Sequence, residues 1–231
     1  MTEKEDLIIQ EPYKPTKEER LAIRELEEKV SGLVPEDWDS KKTYIKSFKE
    51  NLRKDMYKKQ NELCAFCRIH TSPACVPMHR EHIVYKKEHP EWMFLPQNLC
   101  IACPICNQYK GTAEVLTTPR TKTYPKSGKG FRIIHPLYDK YSDHIELLND
   151  ILYKGKTEKG SFTIETCHLY RVGLAEERVK NKIYENNKGN IIAELINLLS
   201  LPDLNVDEKE RFIQLVENIV QNYNKKKDNL V

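Results

Sequence analysis

No stretch of this chain approaches the roughly 18 consecutive apolar residues that a membrane-spanning helix needs. The charged opening Met1-Thr2-Glu3-Lys4-Glu5-Asp6 is not followed by the apolar core of a signal peptide, so a cytoplasmic location and no membrane partner are expected. Internal repeats are absent, and the one low-complexity tract is Lys225-Lys226-Lys227. A strong charge of either sign is also missing, since 38 Lys+Arg oppose 35 Asp+Glu. At 39% hydrophobic and 32% charged residues, the chain is too polar for a membrane protein and too apolar for a disordered one. Its 231 residues suit one domain, or one with a small appendage, around a core of ordinary size.

Cysteine, by contrast, is plentiful. Six of the seven cysteines fall between positions 64 and 106. A reducing compartment argues against disulfides, and such crowding then points to metal. Cys64/Cys67 and Cys103/Cys106 are two Cys-x-x-Cys pairs with 35 residues between them. Each pair on a tight turn presents two thiolates a tetrahedral edge apart, and two such knuckles complete a structural Zn²⁺ site. Cys100-x-x-Cys103 is an equally valid pair by spacing. No βαβ pattern surrounds either pair, which argues against a thioredoxin-like redox role. Cys75 and Cys167 read as ordinary buried thiols.

The charge is unevenly distributed. Residues 41–130 hold 17 Lys+Arg against 7 Asp+Glu. Four thiolates on Zn²⁺ would leave this segment still basic, and a basic segment around a metal cluster suits a polyanion such as nucleic acid. The plainer reading is a solvated, lysine-rich helix over 41–59. Thr16 with Glu19 forms a capping box for a helix over 17–30, with Leu21, Ile23, Leu26 and Val30 apolar and Gly32 beyond its end. A second helix is expected over 36–59, with Trp38, Tyr44, Ile45, Phe48, Leu52 and Met56 at helical spacing. Residues 116–130 read as a polar, basic loop. Strands are expected at Phe131–Ile134, at Glu146–Tyr153 around an Asn149-Asp150 turn, and at Phe162–Leu169, where the residues alternate. Helices over 172–187, 190–200 and 206–226 complete the chain. The expected regions are 1–60 (helical), 61–115 (the cysteine-bearing core), 116–170 (basic loop and β segment) and 171–231 (helical).

Between the knuckles lies Met78-His79-Arg80-Glu81-His82-Ile83-Val84, followed by Pro96-Gln97-Asn98-Leu99 and then Cys103-Pro104-Ile105-Cys106-Asn107-Gln108-Tyr109-Lys110-Gly111. Over about residues 61–112 this order resembles the HNH endonuclease family, the ββα-metal nucleases. The elements carrying the resemblance are acidic-His-Ile, Asn-Leu, Cys-x-x-Cys-Asn, and a Lys three residues on. The family places its knuckle directly before the third motif residue, which selects Cys103/Cys106 over Cys100/Cys103. The resemblance implies an α+β fold, with a zinc-stapled ββα core, flanking α-helices and a small β-rich segment after the core. It implies His82 as general base, Asn98 pinning a loop that orients His82 through a backbone carbonyl, and Lys110 facing a phosphate. Glu81 and Asn107 would hold one catalytic divalent cation, Mg²⁺ or Mn²⁺. Such chemistry answers what phosphodiester hydrolysis needs: an activated water, neutralised phosphate charge and help for the leaving oxygen. Two departures weaken the metal pair. The family's first residue is more commonly Asp or His than Glu81, and its third is often His where this chain has Asn107. His79 is an additional candidate, able to bind phosphate or replace Glu81 as ligand.

A fainter similarity extends over the flanks. His135-Pro136, Asp139, Tyr141, His144-Ile145-Glu146, Gly160, Thr163-Ile164-Glu165, Leu169, Arg171, Leu174 and Arg178 resemble the HNH proteins that accompany ATPases in Septu-type anti-phage systems. Tyr170 stands where that family often has Asn. The expectation is therefore a metal-dependent endonuclease with DNA as the favoured substrate, in a defence complex with an ATPase partner. Its alternatives are an RNase of the same fold and a zinc-stapled nucleic-acid or partner-binding module without catalysis.

Overall fold

The computed structural model describes residues 6, 8–70, 78–186, 210 and 213–214, with side chains in the last helix described up to Val179. The chain divides into two compact units. One comprises Met1–Ile145 with Gly155–His168, and the other Glu146–Lys154 with Leu169–Val231. The architecture is α+β, with helices and two small antiparallel sheets. Among the described residues, no helix is long and apolar enough to cross a membrane.

Helix α1 (Lys17–Glu27) starts at the expected capping box: Glu19 N donates to Thr16 Oγ1 at 3.2 Å and Thr16 N to Glu19 Oε2 at 3.0 Å. Glu19 is wholly buried and also accepts from Tyr13 Oη, Ser47 Oγ and Asn51 Nδ2, so one carboxylate joins α1 to the next helix. The helix stops short of residue 30. Leu21 and Val30, expected on its apolar face, are exposed, while Ala22, Ile23 and Leu26 are buried.

The expected 36–59 helix is two elements. Pro35–Asp39 forms a short 3-10 turn, capped where Asp37 Oδ2 accepts from Val34 N at 3.0 Å. The chain restarts as α2, Thr43–Lys59. Ile45, Phe48, Leu52 and Met56 recur every three or four residues and are wholly buried, as the apolar stripe in the sequence implies, but Tyr44, expected among them, is exposed. Asn61 and Glu62 adopt left-handed conformations and turn the chain out of the helix. Gln60 then acts as a surrogate strand. Its amide accepts from Ile101 N at 2.8 Å and donates to the carbonyls of Ile101 at 2.8 Å and Leu63 at 2.9 Å.

Strands β1 (His79–His82) and β2 (Leu99–Ala102) pair antiparallel, with Glu81 opposite Cys100 and His82 opposite Leu99. All of β2 is buried. Helix α3 (Pro104–Lys110) follows at once, with Cys103 as its N-cap, Pro104 in the first turn, and Gly111 at φ +49° ending it.

After the basic loop, Phe131–Ile134 makes an isolated bridge from Phe131 to Leu116 rather than a strand. Helix α4 (Tyr141–His144) leads into the hairpin of β3 (Ile145–Leu148) and β4 (Leu152–Gly155). Ile151 N donates to Leu148 O across Asn149 and Asp150, both left-handed, which is the turn chemistry expected of that pair.

The expected strand at Phe162–Leu169 is instead helix α5, Glu158–Thr166. Thr157 caps it by accepting from Gly160 N at 3.1 Å. Gly160, Thr163, Ile164 and Cys167 are buried at a helical i, i+3, i+4, i+7 spacing that the β-branched alternation masked. A side chain at Gly160 would collide with the His144 carbonyl. In the second unit, α6 (Val172–Asn186) carries Arg178, whose Nε donates to Tyr153 Oη at 2.6 Å. The helix expected over 190–200 and nearly all of 206–226 lie outside the described residues.

Candidate metal centre and adjoining groove

The four thiols of Cys64, Cys67, Cys103 and Cys106 are buried, and their sulfurs lie within 4.8 Å of one another. The first knuckle is the turn after α2, where Cys64 N donates to Ile69 O and Arg68 takes a left-handed conformation. The second is the junction of β2 with α3. Cys67 Sγ is 3.9 Å from Cys103 Sγ. Tetrahedral zinc with Zn–S bonds of about 2.3 Å needs sulfur–sulfur edges of about 3.8 Å, so this donor set fits a metal such as zinc. Backbone amides point at the sulfurs: Cys103 N donates to Cys64 Sγ at 3.3 Å and Cys106 N to Cys103 Sγ at 3.4 Å. Burial opposes ionisation of Cys64, but hydrogen bonds with Cys103, Cys106 and Cys67 outweigh it and hold that thiol well below its usual range. Cys100 is outside the cluster, and burial pushes its thiol well above the usual range. The frame is therefore Cys103/Cys106. Cys167 is buried apart from the cluster, and Cys75 lies outside the described residues.

Arg68 sits beside this cluster and was not singled out from the sequence. It is 2% exposed, its guanidinium lies 4.8 Å over the Tyr141 ring, and Nε and Nη2 have no hydrogen-bond partner. A buried cation without a carboxylate is costly. Four thiolates around Zn²⁺ carry a net charge of −2, which Arg68 would offset from the adjacent position.

On β1, His82 is 7% exposed and meets the Trp38 ring edge-on at 4.5 Å. Its Nε2 lies 3.1 Å from Met93 O. A carbonyl only accepts, so Nε2 carries the proton and Nδ1 the lone pair. Burial, against the Met93 bond, pushes the His82 pKa down to about 3, so the ring is neutral at pH 7. Asn98 is wholly buried and holds the surrounding loop with three bonds. Its Oδ1 accepts from Val84 N at 2.7 Å, and its Nδ2 donates to Val84 O at 3.1 Å and to Trp92 O at 3.2 Å. Trp92 immediately precedes the carbonyl that receives His82, so the two polar side chains share one loop.

Lys110 differs from expectation. Its side chain is 0% exposed, and Nζ donates to Glu81 Oε1 at 2.7 Å and to His82 O at 2.9 Å. It faces inward and offers no charge to an external phosphate. Lys110 stands one turn past Cys106 at the end of α3, and its side chain points back at β1 rather than outward. Glu81 is correspondingly occupied. Burial raises its carboxyl pKa, and the Lys110 charge works against that rise. The structure joins Asn107 to His79 instead, with Asn107 Nδ2 2.8 Å from His79 Nδ1.

His79 and Asn107 line a groove of about 400 Å³ together with Trp38, Glu50, Arg53, Met78 and Arg80. Glu50 and Arg53 belong to α2 and read in the sequence only as part of a lysine-rich face. The i, i+3 acid–base spacing was visible, but their approach to Arg80 was not. His70 is exposed and pairs with Glu62 at 2.9 Å. Flank motif residues make internal bonds. His135 Nε2 meets Tyr124 Oη at 3.0 Å, and Asp139 accepts from His135 N at 2.8 Å and from Lys159 Nζ at 2.8 Å. No family model and no curated relative matches the chain.

Proposed function

We propose that the chain is a metal-dependent nuclease of HNH type, hydrolysing phosphodiester bonds in nucleic acid, with DNA the favoured substrate. The observation that carries this reading is the relay from Asn98 through the 84–98 loop to the Met93 carbonyl and His82 Nε2. It holds one tautomer of a histidine on a short hairpin, with Nδ1 as the basic nitrogen. That hairpin runs directly into α3, whose first turn bears two thiols of the cluster, and its His79 and Arg80 line a groove in the basic part of the chain. A neutral imidazole in a fixed orientation can take a proton from water at pH 7, but a pKa held at about 3 leaves it a weak base until the substrate raises it. Nδ1 takes a proton from water, the oxygen attacks phosphorus, and the phosphorus–oxygen bond to the leaving nucleoside breaks. A phosphate arriving nearby would raise the proton affinity that burial depresses.

A divalent cation, Mg²⁺ or Mn²⁺, would neutralise phosphate charge and stabilise the leaving oxygen. Asn107 Oδ1 and the His79 ring are the donors in the groove that suit it, whereas Glu81 is held by Lys110. The conformation with His79 and Asn107 bonded to each other is one the cation must open. An ATPase partner and an anti-phage role belong to this proposal through the flank motifs alone.

Two observations favour a non-catalytic binding module: the Glu81 carboxylate is paired, and His82 is almost wholly buried. The test is incubation of the zinc-replete protein with plasmid and with RNA, plus Mg²⁺ or Mn²⁺, beside the His82→Ala variant. Metal-dependent cutting lost in His82→Ala, with zinc content unchanged, supports the nuclease. Equal cutting by the variant removes His82 from the mechanism, and cutting of RNA alone makes the enzyme an RNase.

A further inference from the structure

Arg53 on α2 and Arg80 on β1 converge on a single carboxylate. Glu50 Oε1 accepts from Arg80 Nη1 at 2.7 Å, and Glu50 Oε2 accepts from Arg53 Nη2 at 3.1 Å and Nε at 3.3 Å. Arg80 is further aimed by a bond from Nη1 to Lys49 O at 3.4 Å. All three side chains line the groove that also holds His79 and Asn107. Two guanidinium groups from different elements, with their donors turned to one small anion, make a fork that fits a phosphate as well as a carboxylate.

We infer that Arg53 and Arg80 form a phosphate subsite for a nucleic-acid strand, and that Glu50 is the resident counter-ion which the strand's phosphate replaces. The proposal rests on the nucleic-acid reading above but does not depend on catalysis. The exchange is favourable because the resident pairs are weak. The side chains of Glu50, Arg53 and Arg80 are 48%, 39% and 26% exposed, so water screens their attraction. A polynucleotide phosphate brings its own release of condensed counter-ions, which a carboxylate on the same helix lacks. Glu50 therefore acts as a brake on non-specific binding. It fills the fork when no strand is present and leaves the groove with one net positive charge rather than two. Neither arginine lies in the catalytic relay, and Arg53 lies outside the 61–112 core altogether. The helix before the knuckles thus contributes directly to substrate binding.

The experiment is fluorescence anisotropy of a labelled duplex oligonucleotide with the full zinc-replete chain, without Mg²⁺ or Mn²⁺, over a salt series. Glu50→Gln should tighten binding by about fivefold, while Glu25→Gln, the same charge change at the Lys42 pair, should do so far less. Arg53→Gln and Arg80→Gln should each weaken binding and lower the salt slope by about one. Glu50→Gln added to the Arg53→Gln/Arg80→Gln double variant should give no tightening. Equal effects of Glu50→Gln and Glu25→Gln overturn the inference, as does weaker binding in Glu50→Gln. Absence of oligonucleotide binding by every variant overturns it too, as does capture of inorganic phosphate alone. A Glu50-sensitive affinity in a protein that cuts nothing would sink the nuclease reading and leave this one standing. His82-dependent cutting with a Glu50-insensitive affinity would do the reverse.

Discussion

Lys110 Nζ lies 2.7 Å from Glu81 Oε1 with the lysine side chain wholly enclosed, so a buried ion pair fastens α3 to β1, while the thiol cluster ties the start of α3 to the turn after α2. The same ammonium also donates to the His82 carbonyl at 2.9 Å. Removing one partner strands the other charge in a poorly solvated place. Lys110→Met should therefore destabilise the fold by about 3–5 kcal/mol, read from urea unfolding, and Glu81→Gln added to it should recover a substantial part. A loss below about 1 kcal/mol for Lys110→Met would mean that the pair is solvated and the lysine is available to ligands.

Asn98 has a different kind of weight, because its three bonds define the loop that receives His82. Asn98→Ala leaves Val84 N and Val84 O without the Asn98 amide, while Trp92 O keeps its bond from Leu95 N at 3.1 Å. The substitution should cost about 2–4 kcal/mol and should lower any nuclease rate more than it lowers oligonucleotide affinity. Asn98→Asp keeps the acceptor for Val84 N while losing both donors, so it should fall between. Equal loss of rate and affinity would reduce Asn98 to a folding residue.

The thiol cluster should bind one zinc per chain, measured by elemental analysis, with release of protons as the thiols ionise. Cys64→Ser or Cys106→Ser should abolish that stoichiometry, whereas Cys100→Ser and Cys167→Ser should retain it. Arg68→Met keeps the packing against Tyr141 and removes the charge. It should therefore lose zinc to a chelator faster than the parent protein does. An unchanged rate would show that the cluster needs no local counter-charge.

His82 and His135 are both buried, which pushes each pKa from the usual 6.5 down to about 3. The unfolded chain takes up protons at these positions below pH 6.5 that the folded chain refuses until near pH 3. Their contribution to stability is thus complete above pH 6.5 and falls as pH drops, by up to about 1.4 kcal/mol per pH unit for each. His135→Gln should reduce the slope of unfolding free energy against pH between 6.5 and 5 when zinc is held in excess. An unaltered slope would place the acid sensitivity elsewhere.

Local signals and tertiary ones separate cleanly along this chain. The capping box at Thr16 and Glu19, the Ile45–Phe48–Leu52–Met56 stripe and the left-handed Asn149-Asp150 turn could all be read from residue identity and spacing, and each is decided within a few residues by hydrogen bonding or periodicity. Two Cys-x-x-Cys pairs could be read as well, but spacing left Cys100/Cys103 and Cys103/Cys106 both open, and the buried cluster decides for the latter. The strand expected at Phe162–Leu169 failed because β-branched residues are only weakly disposed against helix. The Thr157 cap and the burial of Gly160, Thr163 and Ile164 outweigh that preference. The direction of Lys110 and the partner of Asn107 were not legible for another reason. Both depend on how a short helix packs against a hairpin whose residues stand about thirty positions away. Sequence alone determined which chemistries are present. The fold decided which groups meet, because packing brings together residues that lie far apart in the chain: Glu81 goes to Lys110, His82 to a carbonyl, and His79 with the two arginines to the groove.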